Sequence, residues 1–182
     1  MATTSANVRV AVTGKVSVGP TATAAPTSSS VALAAGLVDL GYVGEGGVTE
    51  SRERSTSDIK AWQNNDVVRT MVTDGKITYT FALLETSKVA LETFYGATTS
   101  AATSTDGRID VVPTATGGRK SFVIDVVDGA DLLRIYLASA EVTEVGDVVY
   151  SGTEAIGREI TVTGYPVAGV SATIWSTALK TP

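Results

Sequence analysis

Three acids sit close together in the run EVTEVGD, Glu141, Glu144 and Asp147. Carboxylates spaced this way beside a turn can offer oxygen ligands to a hard cation such as calcium. Acids around a β-turn are more often plain solvated turn residues, and no metal is assigned to them. The glycines of GEGG at 44–47 could let a backbone approach phosphates. Neither a Gly-Lys-Ser/Thr sequence nor a strand–GxGxxG–helix frame follows, so this is no nucleotide loop. The other carboxylates are scattered singly, without the pairing that glycoside hydrolysis uses. Cysteine and histidine are both absent. Their absence removes disulfides, the usual zinc and iron–sulfur sites, Ser-His-Asp and Cys-His catalysis, and imidazole proton transfer. Tyr42, Trp62, Tyr150, Tyr165 and Trp175 form no readable sugar-binding or base-stacking array and read as core or interface packing. No catalytic constellation and no cofactor site is predicted. Binding and assembly are the functions left.

Composition narrows these further. The 182 residues are 43% hydrophobic, enough for one good core and one domain over 1–182. Only 18% are charged, against about 25% in ordinary soluble domains. So little charge suggests a surface largely hidden against other chains, although a well-packed β domain with a Thr-rich surface has the same composition. The net charge of −5 and the lack of any basic run argue against a grip on nucleic acid. MATTSANVRV lacks a cationic segment followed by an apolar run, so no secretory signal is expected. The most apolar window, 31–44, is short and contains Asp39, so no membrane span is expected either.

The elements that must position any site are mostly strands. Period-two alternation predicts a strand at 7–18, ended by Gly19-Pro20, then a low-complexity loop containing Pro26 and a short strand at 37–43. Residues 44–58 are glycine-rich, then mixed in charge, with no apolar period, and read as a long loop. In VVRTMVTDGKITYTFALLET (67–86), Asp74-Gly75 predicts a two-residue hairpin turn with Thr73 opposite Lys76. That register gives a core face of Val68, Thr70, Val72, Ile77, Tyr79, Phe81 and Leu83. The opposite face holds Val67, Arg69, Met71, Thr73, Lys76, Thr78, Thr80 and Ala82. Thr86 or Ser87 can cap a short helix carrying Ala90, Leu91, Phe94 and Tyr95, closed by Gly96. Asp128-Gly129 predicts a second hairpin, with Phe122, Ile124, Val126, Leu133, Ile135 and Leu137 on one face. Ser121, Val123, Asp125, Leu132, Arg134 and Tyr136 lie on the other, where Asp125 and Arg134 are diagonal neighbours. Further strands are expected at 107–113, 140–150, 157–164 and 170–177. The fold class is all-β, a β-sandwich or partly open barrel with one short flanking α-helix.

Several stretches resemble the major tail tube proteins of long, non-contractile-tailed bacteriophages (siphophages), especially those of actinobacteria. They are Gly41-Tyr42, GGVTESRER, AWQN at 61–64, VVRT at 67–70, TYTF and LLET, and ETFYG; VVDGADLLRIYLASAEVTEVGD and ITVTGYP carry it more loosely. The resemblance spans about 38–165 and is more specific in its first half. It implies a structural virion protein, made in the host bacterial cytoplasm, that forms hexameric rings stacked into a tube. It also implies a tape-measure protein in the lumen, contacts with tail terminator and distal tail or baseplate proteins, transient passage of double-stranded DNA, and no membrane partner. Each subunit would give hairpin strands to an inner β-barrel, while a long loop and flexible N- and C-terminal arms join the rings.

On that reading the mixed faces of the two hairpins line the channel: Val67, Arg69, Met71, Thr73, Lys76, Thr78, Thr80, Ser121, Val123, Asp125 and Arg134. The 44–58 loop, through Glu45, Glu50, Arg52, Glu53, Arg54 and Asp58, would pair with the neighbouring ring. Arg69 and Lys76 sit awkwardly in a DNA conduit, because cations hold phosphates; Asp66, Asp74 or Asp125 could offset them. A half-exposed sheet in a monomer is the other reading of the hairpins. A β-sandwich binding, adhesion or virion decoration module is the other reading of the whole chain.

Overall fold

Alternation of β-branched and polar residues produces eight strands among the residues that the computed structural model describes, 8–103 and 105–179. They are β1 (Thr13–Pro20), β2 (Val38–Asp39), β3 (Thr49–Lys60), β4 (Val67–Leu83), β5 (Lys120–Asp128), β6 (Asp131–Val145), β7 (Arg158–Gly164) and β8 (Thr173–Ser176). One helix, α1 (Lys88–Phe94), follows β4, and a single 3-10 turn (Thr177–Leu179) follows β8. The extreme ends, expected to be flexible arms, lie outside the described residues apart from 178–179.

All pairings are antiparallel, in the order β2-β1-β5-β6-β7-β4-β3, with β8 against β6. The long strand β6 joins the two halves. Its residues 131–140 pair with β5, and 133–136 pair also with β8, whereas 140–145 pair with β7. A bulge at Thr143 marks the second half, and bulges bend and twist a strand. The sheet therefore doubles over β6 into two leaves facing each other. Val16, Phe122, Ile124, Ile135 and Leu137 from one leaf meet Tyr79, Phe81, Leu83, Ile160 and Val162 from the other. Leu40 and the helix residues Ala90 and Phe94 belong to the same core. Each large side chain buried there stabilises the fold by roughly 1.5–3 kcal/mol. This is the expected sandwich with one flanking helix.

The helix forms where its caps predict. Ser87 is extended (φ −85°, ψ 159°) and its hydroxyl accepts from the Ala90 N–H at 3.2 Å. Gly96 ends it at φ +62°, where a Cβ would stand 2.5 Å from the Ala115 carbonyl oxygen. The second hairpin also forms, with its turn one residue later than expected. Asp128 pairs with Asp131, leaving Gly129 (φ +60°) and Ala130 at the corner. That displacement changes the pairing by two residues, so both faces keep their expected members, and Asp125 comes to lie directly opposite Arg134. The strand expected at 107–113 reduces to a single bridge, Ser100 to Arg108.

Two expectations fail together. Asp74-Gly75 does not turn the chain but lies inside the continuous 17-residue strand β4. The expected 44–58 loop is, from Thr49 onward, the exposed 12-residue strand β3 that pairs with β4 along its whole length. The corner comes at 61–66, where the Ala61 N–H donates to the Asp66 carbonyl at 2.7 Å. Asn64 and Asn65 take φ of 56° and 58° there. Asparagine tolerates this left-handed region, so the Asn pair supplies what Asp-Gly was expected to supply. A turn at 74–75 would instead fold 67–73 onto the segment that β3 and β7 occupy.

Candidate functional site

Strand β7 pairs with β4 only from Ile77 inward. Residues 67–76 of β4 therefore have β3 as their sole partner and project as a two-stranded ribbon, exposed on both faces. Ten residues at about 3.3 Å each make an arm of roughly 30 Å. Its register slips at Ser55/Thr56 and at Ile59/Lys60, each slip inserting one extra β4 residue. At the first, Thr73 is the extra residue and its hydroxyl donates to the Ser55 carbonyl at 3.1 Å. Each slip switches the side-chain alternation along β4. One face of the ribbon holds Glu50, Arg52, Arg54, Thr56 and Asp58 opposite Tyr79, Ile77, Gly75, Val72 and Thr70. The other holds Thr49, Ser51, Glu53, Ser55, Ser57 and Ile59 opposite Thr80, Thr78, Lys76, Asp74, Met71 and Arg69. The face grouping expected from a turn is thus kept at 69–72 and 76–82 by the first bulge, with Thr73 itself the extra residue. The second slip sets Val67 opposite Lys60 and so moves it off the face of Arg69.

The expected site residues on the arm divide between these faces. Val67, Arg69, Met71, Thr73 and Lys76 are all exposed. Lys76 lies directly across from Glu53. Some of the charged residues pair within the chain: Arg52 Nε approaches Glu50 Oε1 at 2.5 Å, and Thr70 donates to Asp58 at 2.6 Å. The buried Tyr79 hydroxyl donates to the other Glu50 oxygen at 2.8 Å. Burial above all, then that hydrogen bond to a carboxylate, pushes the Tyr79 pKa up. Glu45, Glu53 and Arg54 make no ion pair among the described residues; Glu45 precedes the strand. Between 49 and 76 the ribbon carries five acids and five bases, and so no net charge.

Thr78 and Thr80 stand where the arm enters the body, half-buried, on the side away from the core. Cross-strand pairing puts Thr163 and Thr161 of β7 beside them, and Thr49 and Ser51 of β3 on their other flank. Thr80 and Thr161 share a hydrogen bond at 2.9 Å, and Thr143 of β6 shares one with Thr163 at 2.8 Å. A band of hydroxyls therefore crosses four adjacent strands, β3-β4-β7-β6. Glu141, Glu144 and Glu159 fall on the same side, by their pairing with Thr163, Thr161 and Ala82. Among the described residues, the charges that pairing places on the body part of this face are these acids. Sequence reasoning found Thr78 and Thr80 and missed Thr49, Ser51, Thr143, Thr161 and Thr163. For all of these but Thr143 the signal is threonine or serine at every second position in TES and TVT. Glu141, Glu144 and Asp147 do not gather as a metal-binding group; Glu141 instead accepts a hydrogen bond from Thr116.

The four-strand leaf is open at both edges. Among the described residues, strand β3 pairs with β4 alone, and residues 141–145 of β6 pair with β7 alone. Unpaired edges of this length are templates for further strands.

The other hairpin corrects the channel assignment. Ser121, Val123, Asp125 and Arg134 are buried inside the subunit, with Arg134 only 6% exposed. Arg134 meets Asp125 through two bonds, Nε to Oδ1 at 2.5 Å and Nη2 to Oδ2 at 3.1 Å. Its Nη1 donates to the carbonyls of Ser28 and Val31 at 2.9 and 2.7 Å. Those carbonyls belong to the low-complexity loop, which lies across this face. Leu33 and Leu37 join Val123, Tyr136, Ala138 and Trp175 in a second small core. These four residues cannot line a channel while the loop covers them.

An edge-exposed β-sandwich with a long neutral ribbon and a band of threonines is built as a structural subunit, one whose surfaces are completed by other chains. The sequence model of the phage tail tube protein family matches residues 1–178, and the chain belongs to that family. It is therefore a structural tail tube protein, a component of the virion that assembles into a tube. A chain from the sheath–tube complex of an extracellular contractile injection system, PVC, in its extended state has the same fold, with a TM-score of 0.53 over 97% of this chain and 100% of that one. The two are 10% identical. No curated protein sequence matches the chain. None of the described helices is long and apolar enough to cross a membrane.

Proposed function

We propose that six copies close into a ring through the open edges of the β3-β4-β7-β6 leaf, and that rings stack into the tail tube with the threonine band facing the lumen. Each copy then supplies four strands to one closed barrel, which leaves no edge to pair at random. The band's chemistry suits a conduit. Duplex DNA carries about one negative charge per 1.7 Å of its axis, and a basic wall would hold it by counterion release. Hydroxyls and a few carboxylates offer it no such grip. Glu53 opposite Lys76 and the neutral balance of the arm offset the cations that Arg69 and Lys76 bring near the lumen.

The arm reaches beyond the body towards a neighbouring ring, which takes over the stacking role expected of a loop. Synthesis in the host cytoplasm, a tape-measure protein within the lumen, and terminator and distal tail proteins at the ends complete the reading. The observation that carries it is the hydroxyl band free of cations, framed by two unpaired strand edges. Electron microscopy of the concentrated protein tests it. Six-fold rings or stacked tubes are expected, and a monodisperse monomer at every concentration would contradict it.

A further inference from the structure

Trp62, at the corner of the arm, is 97% exposed. Ile59, Val67 and Val68 beside it are exposed as well. A lone indole held in water at the end of a ribbon buries nothing of its own chain, although burial is what an aromatic of this size contributes to an interface.

The matching vacancy lies at the opposite end of the same strands. The base of the ribbon is marked by the bridge from Val43 to Leu83, the bond from the Gly44 N–H to the Ala82 carbonyl at 2.8 Å, and that from the Leu84 N–H to the Tyr42 carbonyl at 2.9 Å. A groove of about 1010 Å³ opens there, bounded by residues 41–48, the start of α1 and the first residues of β1. Its lining includes Val12, Val38, Tyr42, Val43, Val48 and Val89. Val12, Val38 and Tyr42 are exposed, Tyr42 at 77%. Gly47, in the rim at φ +64°, has no atom within 4 Å of where a Cβ would stand, so the entrance is unobstructed on that side.

Tip and groove are thus separated by the length of β4, about 50 Å of extended strand, along one direction. A copy displaced along that direction brings its tip to the next copy's groove. Because tip and groove are different surfaces, the contact is head-to-tail, and the displacement along the strand makes it repeat as a lengthening fibre and not close into a ring. We infer that Trp62 of one copy docks in the groove at the base of the arm of a second copy in the adjoining ring. The inference rests on the stacked-ring reading and names the receiving surface.

The absence of cysteine from the chain makes the contact directly trappable. Trp62→Cys and Tyr42→Cys are introduced separately and together, and assembled tubes are oxidised or treated with a short bis-maleimide. The double variant is expected to give a ladder of covalent multimers, and a mixture of the two single variants to give only dimers. Trp62→Ala is expected to raise the concentration needed for assembly at least tenfold, with Trp62→Phe in between. In a Trp175→Phe background, which leaves Trp62 as the sole indole, emission should move to the blue on assembly. Normal tubes that give no bond between positions 62 and 42, or only bonds from tip to tip, overturn the docking alone, as does Trp62→Ala assembling at the wild-type concentration. Wild-type protein that makes no rings or tubes overturns the stacked-ring reading and the docking with it.

Discussion

The chain contains two long antiparallel ribbons, β3–β4 and β5–β6, and each has an Asp-Gly pair in it. The β5–β6 ribbon is covered on one face by the main core and on the other by the 21–37 segment and Trp175. The outer half of β3–β4 is covered on neither face. One ribbon is therefore an internal wall, whose side chains are chosen by packing. The other is an external limb, whose side chains are free to be chosen by what another molecule offers. That contrast explains why the buried Asp125–Arg134 pair is fully satisfied within the subunit while the limb keeps apolar residues such as Val68 and Val72 in water.

The widest separation between the two ribbons should come from shortening the limb. Replacing 55–74 with a two-residue Asn-Gly turn, which keeps Arg54 opposite Gly75, is expected to abolish tubes entirely in electron micrographs. Circular dichroism and urea midpoint should stay close to wild type, since the excised residues bury nothing in the core. Loss of the folded monomer would show that the limb supports the body after all. In the wall the effect should be on stability instead. Arg134→Ala strands the Asp125 carboxylate and frees two loop carbonyls, and is expected to cost about 3–5 kcal/mol by denaturant unfolding.

Glycine substitutions sharpen the comparison at smaller magnitude. Gly129 occupies the left-handed region at the corner of the wall, so Gly129→Ala should cost about 1–2 kcal/mol. Gly75 sits in extended strand, and Gly75→Ala should be neutral within about 0.5 kcal/mol or slightly stabilising. Equal costs at the two positions would mean that Asp74-Gly75 does turn in solution. The smallest effect belongs to Tyr79, where limb and body meet. Its folded pKa lies above its ordinary value of 10. Above that pH the unfolded chain loses the proton first, so stability should fall as pH rises beyond 10. Tyr79→Phe should flatten that decline in a pH series of unfolding curves.

How much of this was legible follows from what each segment packs against. The members of the two β5–β6 faces and the inner β4 positions Tyr79, Phe81 and Leu83 could be read because packing against the main core forces apolar residues into every second place. Val68, Thr70 and Val72, expected on the same core face of β4, lie instead on the uncovered limb and are exposed. Ser87 and Gly96 bracketed α1 because helix ends need those particular side chains. Strand β3 was illegible as a strand because neither of its faces is buried; its alternation is of hydroxyl against charge, as in TESRERSTS. The corner was misplaced because Asp74-Gly75 is the stronger local signal, and only tertiary pairing with β3 and β7 overrides it. Nothing in TATAAPTSSS or the Val31 that follows marks the stretch as the cover over Asp125 and Arg134, since the backbone carbonyls of Ser28 and Val31 do that work. The threonine band was half visible for a related reason: Thr143, Thr161 and Thr163 join Thr80 and Thr78 only through long-range register.

The central claim concerns where that band points. A cryo-EM reconstruction of the assembled tube tests it most directly. Strands β3, β4, β7 and β6 of each copy should line the bore, with the hydroxyls of Thr80 and Thr161 at the innermost radius. A tube with those two threonines on its outer surface, or packed against a neighbouring copy away from the bore, would contradict the account.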